Sequence, residues 1–425
     1  MAADTQTAPI DTTWAREQFP SLALEQDNEH VLYLDNPAGT QVPRHTIDAI
    51  RRYFETANAN VHGPFLTSRR TDELVDAARD SMAAFLGASS PREIAFGPNM
   101  TTLTYNVSRA LGREWGQGDE VVVTDLDHDG NVTPWMDLAE RGVTVRRVPI
   151  HLDDCTLDME ALGAILSTHT RLVAVTHASN AVGMVVDVAE VARMAHGVGA
   201  LVWVDAVHYG PHGPIDVGAL DVDFLVCSAY KFFGPHLGIL WGREELLEGI
   251  RAFHLRAAPH NVPDRFETGT KSHEQLAGLL GTLDYLVELG MKSGVYAPNE
   301  RLTLSGALHR TMEAIREYER GLSTALLEGL LSVPGLQMYG IRDAGRLVER
   351  VPTFAFNLGD MPAPEVSRQL GERGIFTWHG NYYALDVMER LGLNERGGAV
   401  RVGAVHYNTP GEIEQLVRAL GEIAG

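Results

Sequence analysis

Residues 224–235 have the sequence FLVCSAYKFFGP, in which an apolar run is followed by a single lysine, Lys231. The run 224–226 predicts a buried strand, so that Lys231 lies just past the end of this strand. Residues 201–205 have the sequence LVWVD, and Asp205 ends that apolar run in the same way. A charged side chain among apolar residues is costly unless it has a partner or loses its charge. The two stretches therefore predict neighbouring buried strands of one α/β sheet, each ending near an ionisable side chain.

This pair of side chains indicates a specific chemistry. A desolvated lysine becomes a nucleophilic amine, and a buried carboxylate keeps a pyridine nitrogen protonated. Lys231 and Asp205 together predict pyridoxal phosphate, with Lys231 as the Schiff-base lysine and Asp205 on the ring nitrogen. The alternative is a lysine whose ammonium reaches solvent along an apolar surface, beside an aspartate that caps the next helix.

The composition excludes several classes of partner. The 35 basic and 56 acidic residues give a formal charge of −21, which argues against nucleic acid and an anionic membrane surface. Cys155 and Cys227 cannot build a disulfide framework and show no metal-ligand spacing. His208 and His212 are four residues apart, but a glycine and a proline between them break any helix, and we expect no metal site. The N-terminus lacks a signal peptide, and no apolar run approaches the roughly 18 residues of a membrane helix, so we expect a cytoplasmic protein.

Short apolar runs alternate with helical segments over the first 300 residues. Because these runs are apolar throughout, they predict a mostly parallel sheet covered by helices on both faces. A long amphipathic stretch, 302–331, leads into a second region of strands and helices. We therefore predict an N-terminal segment (1–30) that packs on the smaller domain, a large cofactor-binding domain (31–300) and a small C-terminal domain (301–425).

Polar side chains follow the other predicted strands, and ligands of parallel sheets sit at the carboxyl ends of the strands. Hydroxyl and amide groups at Thr101 and Thr102 suit a phosphate, or they are an ordinary helix cap. His128 could stack on a flat ring and Asn180 could donate to a phenolic oxygen, or each is an ordinary loop residue. The evidence for a binding site is that all of these residues are expected at the same edge of one sheet. The candidates are Thr101, Thr102, His128, Asn180, Asp205, His208, Ser228, Tyr230 and Lys231.

Several short sequence motifs, in the same order along the chain, resemble those of the class V aminotransferases of fold-type I, and within them those of the cysteine desulfurase-like branch. The resemblance runs from about residue 30 to the C-terminus. Its strings are YLDNPA (33–38), the pair Thr101-Thr102, Asp127-His128 through Asn131, THASN (176–180), VDAVH (204–208), 223–231, FETGT (266–270) and 401–409.

The resemblance implies the fold and a role for each residue. We expect a large domain with a mostly parallel, seven-stranded type of sheet, and a smaller α/β C-terminal domain. Lys231 would hold the cofactor, with Asp205 on the pyridine nitrogen and His128 stacked on the ring. The phenolic oxygen would lie near Asn180 and His208, and the phosphate near Thr102, Ser228 and Tyr230. Thr270 would reach the phosphate of a neighbouring subunit, which implies a homodimer, and Arg401 would clamp the substrate α-carboxylate. The expected substrate-binding set is Asn36, Trp378, His379, Tyr383 and Arg401.

One segment departs from this family. Desulfurases carry a cysteine on a mobile loop, where its thiolate accepts sulfur as a persulfide. The corresponding segment here, 374–384, has the sequence GIFTWHGNYYA, with Tyr383 in the place of the cysteine. A phenol cannot accept sulfur. Cys155 lies beside two aspartates and Cys227 in a predicted buried strand, so we expect no persulfide chemistry.

The remaining chemistry is that of an amino acid at Cα and Cβ, with Lys231 as general base. Transamination, epimerisation and β-elimination all stay open at this point. Tyr382, Tyr383 and His379 could supply a proton to a leaving sulfur, which favours a C–S lyase, or they only line a pocket for a substrate larger than cysteine. We expect β-elimination, with transamination or epimerisation as alternatives. The rival from another class is a non-catalytic scaffold that binds pyridoxal phosphate.

Overall fold

The computed structural model describes residues 10–27 and 29–425. Most of the predicted N-terminal segment is therefore described, whereas residues 1–9 and 28 lie outside the described residues. The strands are β1 (Glu25–Gln26), β2 (Glu29–His30), β3 (Leu32–Tyr33), β4 (Ile94–Gly97), β5 (Glu120–Thr124), β6 (Thr144–Val148), β7 (Thr170–Thr176), β8 (Leu201–Asp205), β9 (Phe224–Ser228), β10 (Gly238–Gly242), β11 (Leu336–Tyr339), β12 (Thr353–Leu358), β13 (Ile375–Phe376), β14 (Trp378–Gly380) and β15 (Ala399–Gly403). The α-helices are α1 (Thr12–Glu17), α2 (Arg44–Thr56), α3 (Leu66–Leu86), α4 (Met100–Leu111), α5 (Thr133–Met136), α6 (Met159–Ile165), α7 (Val188–His196), α8 (Val217–Leu220), α9 (Glu244–Gly249), α10 (His273–Lys292), α11 (Leu304–Ser332), α12 (Ala363–Glu372), α13 (Leu385–Arg390) and α14 (Pro410–Ala424).

The larger sheet has seven strands in the order β4-β10-β9-β8-β7-β5-β6. Strands β9, β8, β7, β5 and β6 are parallel, and β10 is antiparallel to both of its neighbours. Alternate side chains of a strand enter different cores: Val202 and Val204 pack in one apolar cluster, and Trp203 packs in another. Both faces are thus buried, as in a parallel sheet with helices on each side. The predicted fold class is confirmed.

The second sheet is antiparallel, with the order β11-β12-β15-β14. Its apolar side chains pack with those of α11, α12 and α14 in a core of their own. Strand β3 lies outside the large sheet and pairs in parallel with β13, because Leu32 and Leu34 pack in this second core. The predicted division into domains at residue 300 stays a prediction.

The described part of the N-terminal segment contacts helices on both sides of the predicted boundary at residue 300. Trp14 of α1 stacks on Tyr285 of α10, with 5.9 Å between the ring centroids. Arg16 forms an ion pair of 2.9 Å with Glu412 of α14. No helix in the ranges 10–27 and 29–425 is long and apolar enough to cross a membrane.

Candidate active site

A cavity of about 300 Å³ lies where the carboxyl ends of β7, β8 and β9 meet the second sheet. This is the edge at which the loops of a parallel sheet converge, and the sequence predicted the site there. Most of the predicted residues line this cavity. They are Thr101, His128, Asn180, Asp205, His208, Ser228, Tyr230, Lys231, Trp378, Tyr383 and Arg401.

Lys231 lies at the end of a short 3₁₀ turn, Ala229–Lys231, that follows β9 directly. Its Nζ donates to the carbonyl oxygens of Pro37 and Ala38, which belong to the turn after β3. Burial and the nearby charge of Arg401 lower the pKa of Lys231 to about 7. A large share of the amine is therefore neutral near pH 7, as a nucleophile or base requires.

Asp205 is the last residue of β8 and is only 3% exposed. Its Oδ1 accepts from the N–H of Val207 at 2.8 Å. Burial raises the pKa of Asp205 to about 7, while the charge of Lys231 lowers it. A carboxyl group this deeply buried would be stabilised as the anion by a further donor or cation in the cavity.

His128 lies in the loop after β5, and its Nδ1 accepts from the N–H of Gly130 at 2.9 Å. Burial, with a smaller contribution from the charge of Lys231, lowers the pKa of His128 to about 4, so that the ring is neutral. A Cβ on Gly130 would lie 2.9 Å from Thr101 Oγ1 and 3.0 Å from His128 Nδ1. Glycine at this position therefore lets the loop approach the start of α4.

Helix α4 begins at Met100, beside the end of β9. The side chain of Asn99 caps the helix by accepting from the N–H of Thr102 at 2.8 Å. Ser228 Oγ accepts from the N–H of Met100 at 3.1 Å. The dipole at the N-terminus of a helix, together with hydroxyls such as Thr101 Oγ1, favours an anion. A phosphate group suits this end of the cavity.

Asn180 and His208 lie on the loops after β7 and β8. Asn180 Nδ2 donates to the carbonyl oxygen of Tyr382 at 2.8 Å. Its Oδ1 is buried without a partner in the part of the chain that the structure describes. His208 Nε2 lies 3.0 Å from Thr353 Oγ1, and burial places the pKa of His208 well below its usual range. Both side chains leave a polar group for a ligand in the cavity.

Arg401 lies in the middle of β15 and is 3% exposed. Its Nη1 donates to the carbonyl oxygen of Asn180 at 2.9 Å, and its Nη2 lies 3.4 Å from Asp35 Oδ1. Its Nε has no partner among the residues of the described ranges. Burial raises the pKa of Asp35 and lowers that of Arg401. A guanidinium at a cavity wall can bind a carboxylate.

Three aromatic side chains form the wall opposite the large sheet. Trp378 comes from β14, and Tyr382 and Tyr383 come from the turn between β14 and α13. The ring of Tyr383 stacks on His128, with 5.5 Å between the centroids and 29° between the planes. Tyr382 is buried, its hydroxyl donates to the carbonyl oxygen of Ala399, and the Arg401 guanidinium lies 4.4 Å from the ring centroid.

Four predicted residues do not line the cavity. The amide of Asn36 is used within the protein, since its Nδ2 donates to Gly403 O at 2.7 Å and to Asn408 Oδ1 at 3.1 Å. Thr102 donates its N–H to Asn99, the cap of α4, and the half-buried His379 stacks on the ring of Trp378. Thr270 lies in a separate cavity of about 250 Å³ beside Glu267 and His236. The predicted ligand contacts of these four residues stay predictions.

The sequence interpretation missed two parts of the site. The carbonyl groups of Pro37 and Ala38 hold Lys231, although a turn sequence carries no sign of this role. Asp35 faces Arg401 across 366 positions of chain. The parallel bridge between Asp35 and Gly403 explains their contact, and only the pairing of distant strands reveals it.

The aminotransferase class-V family matches residues 32–303 and 293–416, and the chain belongs to this family. A probable cysteine desulfurase of Streptomyces coelicolor is 32% identical over 436 residues, with 97% of each chain covered. A cysteine desulfurase of Pectobacterium carotovorum subsp. carotovorum is 34% identical, with 96% of this chain and 97% of the relative covered. The apo structure of a cysteine desulfurase from Thermococcus onnurineus has a TM-score of 0.83 and 26% identity over 98% of both chains. The protein is a cysteine desulfurase-like enzyme of a pyridoxal phosphate-dependent family.

The cavity fits pyridoxal phosphate on its own evidence. It offers an amine of lowered pKa at Lys231 and a buried carboxyl group at Asp205. The start of α4 suits an anion, and Asn180 Oδ1 is a buried polar atom without a partner in the described ranges. These groups match the aldehyde, the ring nitrogen, the phosphate and the polar ring substituent of the cofactor. In the same ranges no group of three or more His, Cys, Asp or Glu residues could hold a metal.

Proposed function

We propose that this enzyme catalyses β-elimination on an α-amino acid, releasing a sulfur substituent from Cβ without an enzyme persulfide. The single observation that carries the proposal is Tyr383 on the cavity wall at the position where the family resemblance places a cysteine. The bound pyridoxal group supplies an electron sink for the pair left at Cα when its proton is removed.

Lys231 is the residue that we assign as cofactor anchor and as base. Its Nζ is held by two carbonyl oxygens at the wall of the cavity, and its lowered pKa keeps much of the amine neutral near pH 7. A neutral amine can take the α-proton and later return it. We assign Asp205 to the pyridine nitrogen because it is the buried carboxyl group that lines the cavity.

The substrate carboxylate is assigned to Arg401. Arg401 lines the cavity, and the planar fork of its guanidinium suits a carboxylate. His128, whose ring is neutral and stacks on Tyr383, is assigned to stack on the cofactor. Thr101, Ser228 and the N-terminal end of α4 are assigned to the phosphate. Tyr230 at the cavity wall joins this group.

The absence of a usable thiol argues against sulfur transfer to the enzyme. Cys155 and Cys227 are both fully buried. Burial raises the pKa of Cys155 to about 11 and raises that of Cys227 further above its usual range. A thiol is nucleophilic only as the thiolate, so neither cysteine suits a persulfide role. We infer that the sulfur leaves as a free product.

The test uses purified holoenzyme and cysteine S-conjugates with no added keto acid. Elimination predicts equimolar thiol, ammonia and pyruvate from a single amino acid. Strict dependence on a second keto acid would identify a transaminase instead, and loss of optical activity without ammonia would identify an epimerase. The control is Lys231→Ala, which should bind the amino acid and release no thiol. No turnover of any substrate by the wild type would support the scaffold alternative.

We also propose a homodimer in which Thr270 contacts the cofactor phosphate of the neighbouring subunit. The support is its position in a second cavity, away from the Lys231 cavity of its own chain. The experiment mixes Lys231→Ala protomers with Thr270→Ala protomers, each inactive or weakened alone. Sites shared across the interface predict one restored site in each mixed dimer. Unchanged activity on mixing would refute the shared site.

A further inference from the structure

The turn that carries Tyr382 and Tyr383 has an uncommon backbone. Both tyrosines have a left-handed backbone conformation, with φ values of 56° and 57°. Two adjacent non-glycine residues in this region are costly, and surrounding contacts must stabilise them. Within the turn, the N–H of Tyr383 donates to Asn381 Oδ1 at 3.1 Å and the N–H of Ala384 donates to Asn381 O at 2.7 Å.

Two hydrogen bonds tie this turn to the large sheet. The carbonyl oxygen of Tyr382 accepts from Asn180 Nδ2 at 2.8 Å. The carbonyl oxygen of Tyr383 accepts from the N–H of Asp129 at 2.6 Å. Asn180 and Asp129 lie on the loops that follow β7 and β5. The turn is therefore fixed against both loops that flank the cavity.

A cluster of ion pairs fixes helix α13, which follows the turn directly. Arg390 of this helix lies 2.6 Å from Asp125 Oδ2, and the Asp125 side chain is 1% exposed. Arg147 of β6 contacts Asp125 at 3.1 Å and also pairs with Asp386 of α13. A buried carboxylate with two guanidinium partners is a strong anchor. The aromatic wall is therefore preformed.

Trp378 lies beside the proposed carboxylate clamp. In the antiparallel pair of β14 and β15, Trp378 is directly opposite Arg401. Residues opposite each other in such a pair place their side chains on the same face, about 5 Å apart at Cβ. A substrate whose carboxylate contacts Arg401 therefore has its remaining substituents within reach of Trp378.

The exposure and charge of the wall indicate what these substituents are. Trp378 is 54% exposed and Tyr383 is 69% exposed, although both are large apolar surfaces that line the cavity. The charged side chains that line it, Lys231, Asp205 and Arg401, are assigned to the cofactor or to the carboxylate. Within the described lining, no further charged group is left to pair with a charged substituent on Cβ.

We propose that Trp378 and Tyr383 set the substrate class: an α-amino acid whose Cβ substituent is bulky, uncharged and preferably aromatic. The substituent packs on these two rings at the cavity mouth, where its burial gains apolar and aromatic contact. This inference rests on the proposed carboxylate contact of Arg401 and not on the elimination step.

The experiment measures binding apart from turnover. The Lys231→Ala protein, supplied with pyridoxal phosphate, is titrated by calorimetry with amino acids that carry no leaving group: alanine, glutamate, lysine, phenylalanine and homophenylalanine. We expect the two aromatic ligands to bind at least about tenfold tighter than the others. A second substitution in the Lys231→Ala protein, either Trp378→Ala or Tyr383→Ala, should remove most of that preference. The matched variants Trp378→Phe and Tyr383→Phe keep an aromatic ring and should retain the preference for aromatic ligands within about threefold.

Equal affinity for all five ligands, or a preference that survives both alanine variants, would overturn the assignment. A parallel assay of thiol release from S-benzylcysteine and S-methylcysteine by the wild type separates the two proposals. An aromatic preference in binding without thiol release would leave the substrate class standing and refute elimination. Equally efficient release from both conjugates would leave elimination standing and refute the substrate class.

Discussion

The lowered pKa of Lys231 predicts an unusual pH dependence for cofactor attachment. Burial and the charge of Arg401 lower this pKa from 10.5 to about 7. At pH 7 about half of the side chain is then neutral, whereas an ordinary lysine is neutral in roughly one molecule in 3,000. Only the neutral amine attacks an aldehyde. The rate of covalent attachment of pyridoxal phosphate to the apoprotein should therefore rise with pH and level off just above pH 7.

The assay is stopped-flow absorbance of apoprotein mixed with pyridoxal phosphate between about pH 5.5 and 9.5. Reaction of the same cofactor with free N-acetyl-lysine methylamide corrects for titration of the cofactor itself. Arg401→Met removes a nearby cation and should move the midpoint to higher pH. Asp35→Asn removes a nearby anion and should move it to lower pH, because Asp35 raises the pKa of Lys231. A midpoint near 10, or shifts of the same sign in both variants, would refute the reasoning.

Three further predictions concern binding, chemistry and stability. Arg401→Lys loses the planar fork and should raise KM for the amino acid by about tenfold or more, with a smaller change in kcat, as steady-state kinetics will show. The double variant Cys155→Ser, Cys227→Ser should keep its specific activity once folded, since neither thiol takes part; loss of thiol release in folded protein would contradict this. Arg79→Met removes the bidentate partner of the Glu267 carboxylate, 2% exposed, which keeps Lys271 at 2.7 Å, and should lower the free energy of unfolding by about 2 kcal/mol in urea titrations.

Two control variants define what counts as a specific effect. Arg92→Met removes an ion pair to Glu244 whose arginine side chain is 48% exposed. Exposed ion pairs contribute little to stability, so this variant should unfold close to the wild type. Asn36→Asp, which perturbs a buried amide network outside the cavity, should alter stability more than KM. An equal loss of stability in Arg79→Met and Arg92→Met would refute the argument from burial.

The sequence predicted the large sheet because its strands are short, apolar and separated by helical segments. The ends of β8 and β9 followed from those runs, and with them the positions of Asp205 and Lys231. The pairing of β3 with β13 could not be predicted in the same way. Two strands of two residues carry almost no periodic signal, and their pairing depends on apolar packing between segments more than 300 residues apart.

The direction in which a side chain points was harder to predict than the strand or loop on which the residue lies. Trp378 and His379 are adjacent in β14, so that one faces the cavity and the other does not. A predicted strand over residues 378–380 would have placed the side chains of Trp378 and His379 on opposite faces. Asn36 lies within a family string, yet its amide is used by Gly403 and Asn408, and such a network is not visible in a pattern of residue types.

The proposed elimination requires a scaffold that keeps its charged groups in place while the turn 381–384 carries different side chains. Lys231, Asp205 and Arg401 lie on or directly after buried strands, where a substitution is costly and the geometry is fixed. The turn 381–384 places Tyr382 and Tyr383 at the cavity wall, and the backbone carbonyl groups of both residues accept hydrogen bonds from the loops after β7 and β5. A phenol can therefore stand at Tyr383 without moving the amine, the carboxyl group or the guanidinium. In the proposed elimination, a cavity wall without a thiol offers the sulfur no bond, and the leaving group departs past Trp378 and Tyr383.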